Sequence, residues 1–214
     1  MFKGTPEIVA QRREEIVGAC EQLYQTMSFK DITLKEIGNV TSFSRPTIYN
    51  YFHTKEEIFL ALFEREYDRW NADLEEILIS ERNYSGQQLA ELIAKSLEKR
   101  AQLLKLLAMN NYDMESNSRE ELLVSFKRAY GQSLQYFRDI LEKHRPGITD
   151  AEVQQIIYVF FPFMFGIYPY AEVTAKQKAA MKEAEVDYQY QSIYEITYNC
   201  LVGLLENKKE ENRR

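Results

Sequence analysis

Residues 42 to 52 read SFSRPTIYNYF, which sets a proline, two Tyr and two Phe around a single charged residue, Arg45. If Ser44 caps a helix here, Arg45, Pro46 and Thr47 form its first turn. Pro46 costs little there, because its missing N–H would have no helical partner. Arg45 can pair with a phosphate or fork onto guanine, and the hydroxyl and methyl of Thr47 suit a phosphate or a thymine methyl. Tyr49, Asn50 and Tyr51 follow as uncharged hydrogen-bonding groups able to reach phosphates or a base. Lys55 lies in the first turn behind a Thr54 cap, and Thr33 caps the preceding helix; both are suited to a phosphate at the positive end of a helix. Phe43, Ile48 and Phe52 are left to face inward. The chemistry this stretch offers is recognition of a polyanion.

Short helices need a scaffold, and the sequence marks one with a recurring start signal, Ser or Thr followed three residues later by Glu or Gln. It occurs at Thr33/Glu36, Thr54/Glu57, Ser85/Gln88, Ser118/Glu121, Thr149/Glu152 and Thr174/Gln177. A first helix opens at Thr5 with Pro6, and its Ile16, Ala19, Cys20, Leu23, Tyr24 and Met27 recur at three and four as a core stripe should. Period-2 alternation is absent, so the chain is predicted to be all-α. About nine helices are expected, near 5–28, 33–40, 44–51, 54–81, 85–110, 118–145, 149–168, 174–183 and 185–208. The two helices of about eight residues gain little from propensity and must be held by packing. Ile32, Leu34, Ile37, Val40, Phe43, Ile48 and Phe52 are available to hold them against the long helices on either side, which makes a helix-turn-helix.

The span ITLKEIGNVTSFSRPTIYNYFHTKEEIFLALF, residues 32 to 63, closely resembles the N-terminal DNA-binding domain of the TetR family of bacterial transcriptional regulators. It matches the family pattern at Thr33, Ile37, Ser44, Thr47, Tyr49, Phe52, Lys55, Glu56, Glu57 and Ile58, with unbroken spacing. Three positions depart from it. Ser42 stands where the family usually has Gly, Thr41 where it usually has Ala, and Gly38 in place of the usual Ala after Ile37. An uncommon left-handed backbone is the expectation at Ser42.

The resemblance implies a repressor that binds a near-palindromic double-stranded DNA operator as a homodimer and is released by a small-molecule effector. Residues 1–55 would be the DNA-binding domain and residues 56–214 the effector-binding and dimerisation domain. Candidates to line an apolar effector cavity are Phe63, Tyr67, Trp70, Met109, Tyr112, Phe126, Tyr130, Phe137, Phe160, Phe163, Met164 and Tyr168. The last helix with residues 149–168 would form a four-helix dimer interface, with Ile156, Phe160, Ile193, Ile196, Leu201, Leu204 and Leu205 its candidates. A rigid fourth helix, 54–81, would link pocket to DNA contact.

Composition sets the limits. The 214 residues carry a net charge of -6, which argues against a nucleic-acid coat, yet residues 1–55 hold 7 Lys+Arg against 6 Asp+Glu while the remainder holds 20 against 27. The N-terminal quarter is therefore the part that does not repel DNA. With two His far apart and two Cys 180 positions apart, no metal site or disulfide is expected, nor any cofactor. Tyr51 and Lys55 form the Y-x-x-x-K of some nicotinamide-dependent reductases, but that motif needs a Gly-rich phosphate loop and a parallel sheet, so an enzyme is not expected. The rival reading that keeps the fold is a helical dimeric scaffold without DNA binding. No secretory signal opens the sequence and the apolar run from Val159 is short and interrupted by two prolines, so a cytoplasmic protein is expected and no membrane partner.

Overall fold

The computed structural model describes residues 5–109 and 111–206, the side chains of residues 111–113 excepted. The described residues form helices and no strands: α1 Pro6–Thr26, α2 Leu34–Val40, α3 Arg45–Ile48, α4 Lys55–Ile79, α5 Gly86–Glu98, α6 Ala101–Leu107, α7 Asn111–Ser116, α8 Glu120–His144, α9 Asp150–Ala171, α10 Ala175–Glu183 and α11 Ile193–Glu206. Eleven stand where about nine were expected, because the span 85–110 is two helices and α7 lies between them and α8. The chain leaves helical geometry at Arg100 (φ -112°, ψ 38°), whose Nε donates to Asp73 at 2.6 Å.

Four capping signals operate as read, at Thr33, Ser85, Thr149 and Thr174. At the start of α4, Thr54 Oγ1 accepts from Glu57 N at 3.1 Å. The Ser118/Glu121 signal does not form: the first bonds of α8 run to Arg119 O. The last helix begins at Ile193 rather than 185, behind a seventh signal, Ser192/Glu195, in which each side chain accepts the other residue's N–H at 3.2 and 2.7 Å. α9 continues through Pro162 and Pro169 for 22 residues. It is thus long and apolar enough to cross a membrane, contrary to the short broken run expected, but Val153, Ile156, Ile157, Phe160, Phe161, Met164 and Ile167 are buried within the protein.

The chain divides into two compact units, and each draws on two stretches. The first comprises residues 1–67 and 110–130. Ile16 and Cys20 from α1, Ile37 from α2, Ile48 and Phe52 around α3, and Ile58, Phe59 and Leu62 from α4 are fully buried in it. Phe59 receives the ring edges of Tyr24 and Phe29, with centroids 5.1 and 4.7 Å away. Fully burying such side chains stabilises by about 1.5–3 kcal/mol each, which is what holds helices as short as α2 and α3.

The second unit comprises residues 68–109 and 131–214. α11 packs along α5 and against α9. Trp70 is fully buried, and its indole Nε1 donates to Ser96 Oγ at 3.0 Å. Lys143 Nζ donates to Leu78 O and Ser80 O, each at 2.6 Å, and so closes the C-terminal end of α4.

Candidate nucleic-acid interface

The turn between α2 and α3 shows how Ser42 serves where glycine was expected. Among the described residues the one non-glycine with positive φ is Glu185, so Ser42 needs no left-handed backbone. Its N–H and hydroxyl both donate to Glu15 Oε1 from α1, at 2.9 and 2.7 Å. These two bonds hold the Glu15 carboxyl below its ordinary range. Thr41 Oγ1 accepts from Phe43 N at 3.3 Å and braces the same turn. Gly38 leaves room beneath it: a Cβ there would meet Ile48 Cδ1 and Phe43 O at 3.6 Å.

α3 is one α-helical turn that tightens at its end, with Asn50 N bonding Thr47 O and Tyr51 N bonding Ile48 O, three residues back. Ser44 occupies the N-cap position, although its hydroxyl bonds Thr47 Oγ1 at 2.9 Å rather than a backbone N–H. Arg45, Pro46, Tyr49 and Asn50 are exposed, Thr47 half-buried, and Thr33 exposed at the cap of α2. Arg45 Nη2 donates to Tyr49 Oη at 3.0 Å, with its guanidinium over the ring. A cation and an aromatic hydroxyl are thereby set side by side one turn apart, above the buried Ile48. The arrangement presents donors and a planar cation on an exposed edge, groups of the kind that contact phosphates and base edges.

Two residues expected on this edge are turned away from it. Tyr51 is only 4% exposed, and its hydroxyl accepts from Arg12 Nη1 at 3.2 Å. The reason is the tightened turn: residues three apart eclipse in a 3₁₀ turn, so Tyr51 falls on the inward side with Ile48. Lys55 is likewise committed, its Nζ donating to Phe29 O at 2.8 Å and Ile32 O at 3.2 Å while lying over the Phe29 ring. It fastens the loop between α1 and α2 instead of standing free for a phosphate.

A charged cluster that sequence reasoning missed anchors the far end of α3. The Glu57 carboxylate, 1% exposed, accepts from His53 N at 2.7 Å, Arg119 N at 3.2 Å, Arg119 Nε at 2.7 Å and Arg119 Nη2 at 2.9 Å. Arg119 Nη2 also donates to Tyr51 O at 3.0 Å, and Arg13, its guanidinium over the Phe52 ring, donates to the same carbonyl at 3.4 Å. Burial alone would raise the Glu57 pKa, but the Arg119 side chain and the two backbone N–H groups outweigh it and hold the carboxyl below its ordinary value. The Arg119 guanidinium is shifted up in return by Glu57. No spacing rule links positions 57 and 119; the available sign was a Glu placed beside Ile58 and Phe59 in a buried run.

The cavity candidates divide between the two units. In the first, Phe63 and Tyr67 stack with centroids 5.3 Å apart and Phe126 packs on Phe63 at 4.9 Å, with Tyr130 edge-on to Tyr67 at 5.6 Å. In the second, Trp70, Phe137, Phe160 and Met164 are fully buried, and Phe137 stacks on Phe160 at 5.1 Å. Within each unit these rings pack on one another. Met109, Phe163 and Tyr168 are half-buried, and the Tyr112 side chain lies outside the described residues. An open apolar groove of about 660 Å³ occurs elsewhere in the second unit, between Pro169, Tyr170 and Val173 on one side and Met181, Tyr188 and Tyr190 on the other.

The dimer candidates are mostly engaged within the protomer. Ile156, Phe160, Ile193, Leu201 and Leu205 are buried inside the protomer, with Ile196 and Leu204 half-buried. They point inward because α11 spends its apolar face on α5 and α9. The exposed apolar residues of α9 are instead Tyr158, Val159, Phe165 and Tyr170, at 71, 44, 43 and 59%.

Two family models match adjoining stretches: residues 16–62 match bacterial regulatory proteins, tetR family, and residues 64–190 match the tetracyclin repressor-like C-terminal domain. No curated protein sequence matches the chain. Among solved structures, a transcriptional regulator of the TetR/AcrR family from Thermobifida fusca superposes with a TM-score of 0.59 at 14% identity, covering 93% of this chain and 99% of the other. The transcriptional regulator FadR of Bacillus subtilis in complex with stearoyl-CoA gives 0.57 at 15% identity, covering 90 and 97%. Thermus thermophilus FadR in complex with lauroyl-CoA gives 0.57 at 18%, covering 92 and 94%. At such identities these likenesses speak for the fold.

Proposed function

Because the chain belongs to the TetR family of bacterial transcriptional regulators, we propose that it is a cytoplasmic repressor, without catalytic activity, that holds a near-palindromic operator as a homodimer. Residues 1–55 are assigned to DNA reading and residues 56–214 to effector binding and dimerisation. The observation that carries this reading is the outward edge of Ser44, Arg45, Thr47, Tyr49 and Asn50, fixed over buried Ile48 and Phe52. Thr33 and Pro46 flank that edge. Tyr51 and Lys55 support it from behind. Few formal charges are needed where hydroxyls and helix N-termini share the phosphate contacts.

Two-fold symmetry in the protein asks for two half-sites about one helical turn apart. The test is fluorescence anisotropy with DNA flanking the gene, repeated at two salt concentrations. Specific binding that weakens steeply with salt is expected, whereas no binding to any duplex would favour the scaffold reading.

For the effector, the complexes of two structural neighbours with stearoyl-CoA and lauroyl-CoA support an acyl-CoA. Adding lauroyl-CoA should lower operator affinity, and operator should lower lauroyl-CoA affinity by the same factor, because coupling is reciprocal. Equal affinity for free and operator-bound protein would remove the effector assignment and leave DNA reading intact.

A further inference from the structure

The segment after α9 is folded yet buries almost nothing. All nine residues of α10 stay out of the core, although a helix this short draws little stability from its own hydrogen bonds. Its Met181, together with Tyr188 and Tyr190 beyond it, forms one wall of the apolar groove, and Pro169 and Tyr170 at the end of α9 form the other. Those two residues also end the exposed stripe of α9, which begins at Tyr158 and runs through Val159, Pro162 and Phe165. Stripe and groove are therefore one continuous apolar surface, about 18 Å along the helix from Tyr158 to Tyr170 at 1.5 Å per residue. A monomer seldom leaves such a surface to water.

We propose that the groove receives Tyr158 of the partner subunit. This rests on the homodimer reading above. A two-fold interface is self-complementary, so the same stripe must supply both the projecting group and its receptacle. Antiparallel pairing of two α9 helices about the midpoint between Pro162 and Phe165 sets Tyr158 of the partner subunit opposite Pro169. Tyr158 is the most exposed aromatic of the stripe, at 71%, and the groove lies at the stripe's other end. Charge agrees with this register. α10 carries Lys176, Lys178 and Lys182 against Glu183, with Lys178 Nζ over the Tyr190 ring of the groove, and the start of α9, which would arrive there from the second copy, carries Asp150 and Glu152. The segment 172–192 then acts as an arm laid on the second copy, which gives α10 the packing it lacks in its own chain.

The proposal is tested on the full chain by sedimentation equilibrium and by cross-linking. Met181→Glu should raise the dimer dissociation constant by about 10- to 100-fold, the scale of losing a contact at an interface hot spot, with unchanged helical circular dichroism because α10 adds nothing to the core. With Cys200→Ser, the pair Tyr158→Cys and Met181→Cys in one chain should give a covalent dimer on a non-reducing gel, while either cysteine alone should not. A parent dimer whose dissociation constant is untouched by Met181→Glu, with no covalent product from the pair, would overturn the groove assignment. The same holds if Met181→Glu abolishes binding of an apolar fluorescent probe and leaves the dimer unchanged, since the groove would then be a ligand site. A parent chain monomeric at micromolar concentration would instead remove the homodimer reading on which the proposal stands.

Discussion

Replacing Arg119 by Ala should destabilise the protein by about 2–3 kcal/mol. Removing one partner of a buried ion pair costs about 3–5 kcal/mol, because the other charge is left uncompensated. Here the loss is smaller for two reasons visible in the geometry. The His53 and residue 119 backbone N–H groups remain on the Glu57 carboxylate. In addition, the Arg119 side chain is already 33% exposed, so water partly replaces it. Against this, Tyr51 O loses the Nη2 donor. Urea unfolding at pH 7, followed by circular dichroism, measures the change. Glu57→Gln should cost a similar amount, since a carboxamide turns an N–H₂ toward donors, and the two changes together should cost about 1–2 kcal/mol less than their sum. The pH dependence has a definite sign. The folded carboxyl titrates below its ordinary 4.5, so its contribution is full above that value and is lost as pH falls through the lowered one. The parent should therefore lose stability below about pH 4.5 more steeply than Glu57→Gln. An Arg119→Ala protein within about 0.5 kcal/mol of the parent, or strict additivity of the pair, would refute a compensated buried charge.

Other expectations follow from the same surroundings. Lys55→Ala should lower stability by about 1–2 kcal/mol, for two lost bonds to backbone carbonyls, and leave the salt slope of DNA binding unchanged; a slope reduced by about one would return Lys55 to the phosphate contacts. Ser42→Gly should destabilise by about 0.5–1.5 kcal/mol in urea titrations, because the hydroxyl bond to Glu15 is lost and chain entropy is gained; a gain in stability would mean the turn prefers glycine after all. Gly38→Ala should stabilise by about 0.5–1 kcal/mol, since the nearest atoms stand at ordinary contact distance; calorimetry on the two proteins decides it. Arg45→Ala should weaken operator binding by about 1–3 kcal/mol and relax base preference, read by anisotropy against mismatched half-sites.

What the sequence disclosed and what it hid have a common cause. Capping residues act within four positions of one another, and so Thr149/Glu152 and Thr174/Gln177 were legible as helix starts. Ser192/Glu195 obeys the same rule and was readable too; the apolar residues before it obscured the boundary. Ser118 failed because residue 119 is captured by Glu57, 62 positions earlier, a distance no local pattern spans. The outward set Arg45, Thr47 and Tyr49 follows from the alternation with Ile48 and Phe52, whereas Tyr51 required knowing that the helix tightens after one turn. Lys55 matched a pattern of residue types, and the loop carbonyls it holds carry no sequence mark. For α9 and α11 the apolar residues were legible as buried, but periodicity cannot say whether a face meets its own chain or a second one.

The discontinuity of the first unit bears on how the protein is made. Its residues 1–67 are synthesised with Glu57 among them, and the Arg119 that neutralises its carboxylate in the folded protein arrives only with the second stretch, 110–130. At about 5–20 residues per second, that interval is roughly 3 to 12 s of synthesis. During this time the chain of the second unit's first stretch, residues 68–109, is also waiting for its remainder. A nascent chain halted between these points would carry every residue of the DNA-reading edge and lack the Arg119 bond to the carbonyl of Tyr51, leaving the one from Arg13. Release of a fragment at that stage would yield a head whose recognition turn keeps its N-terminal tether, Ser42 to Glu15, and at its other end keeps the bonds from Arg12 and Arg13 to Tyr51 but not those from Arg119.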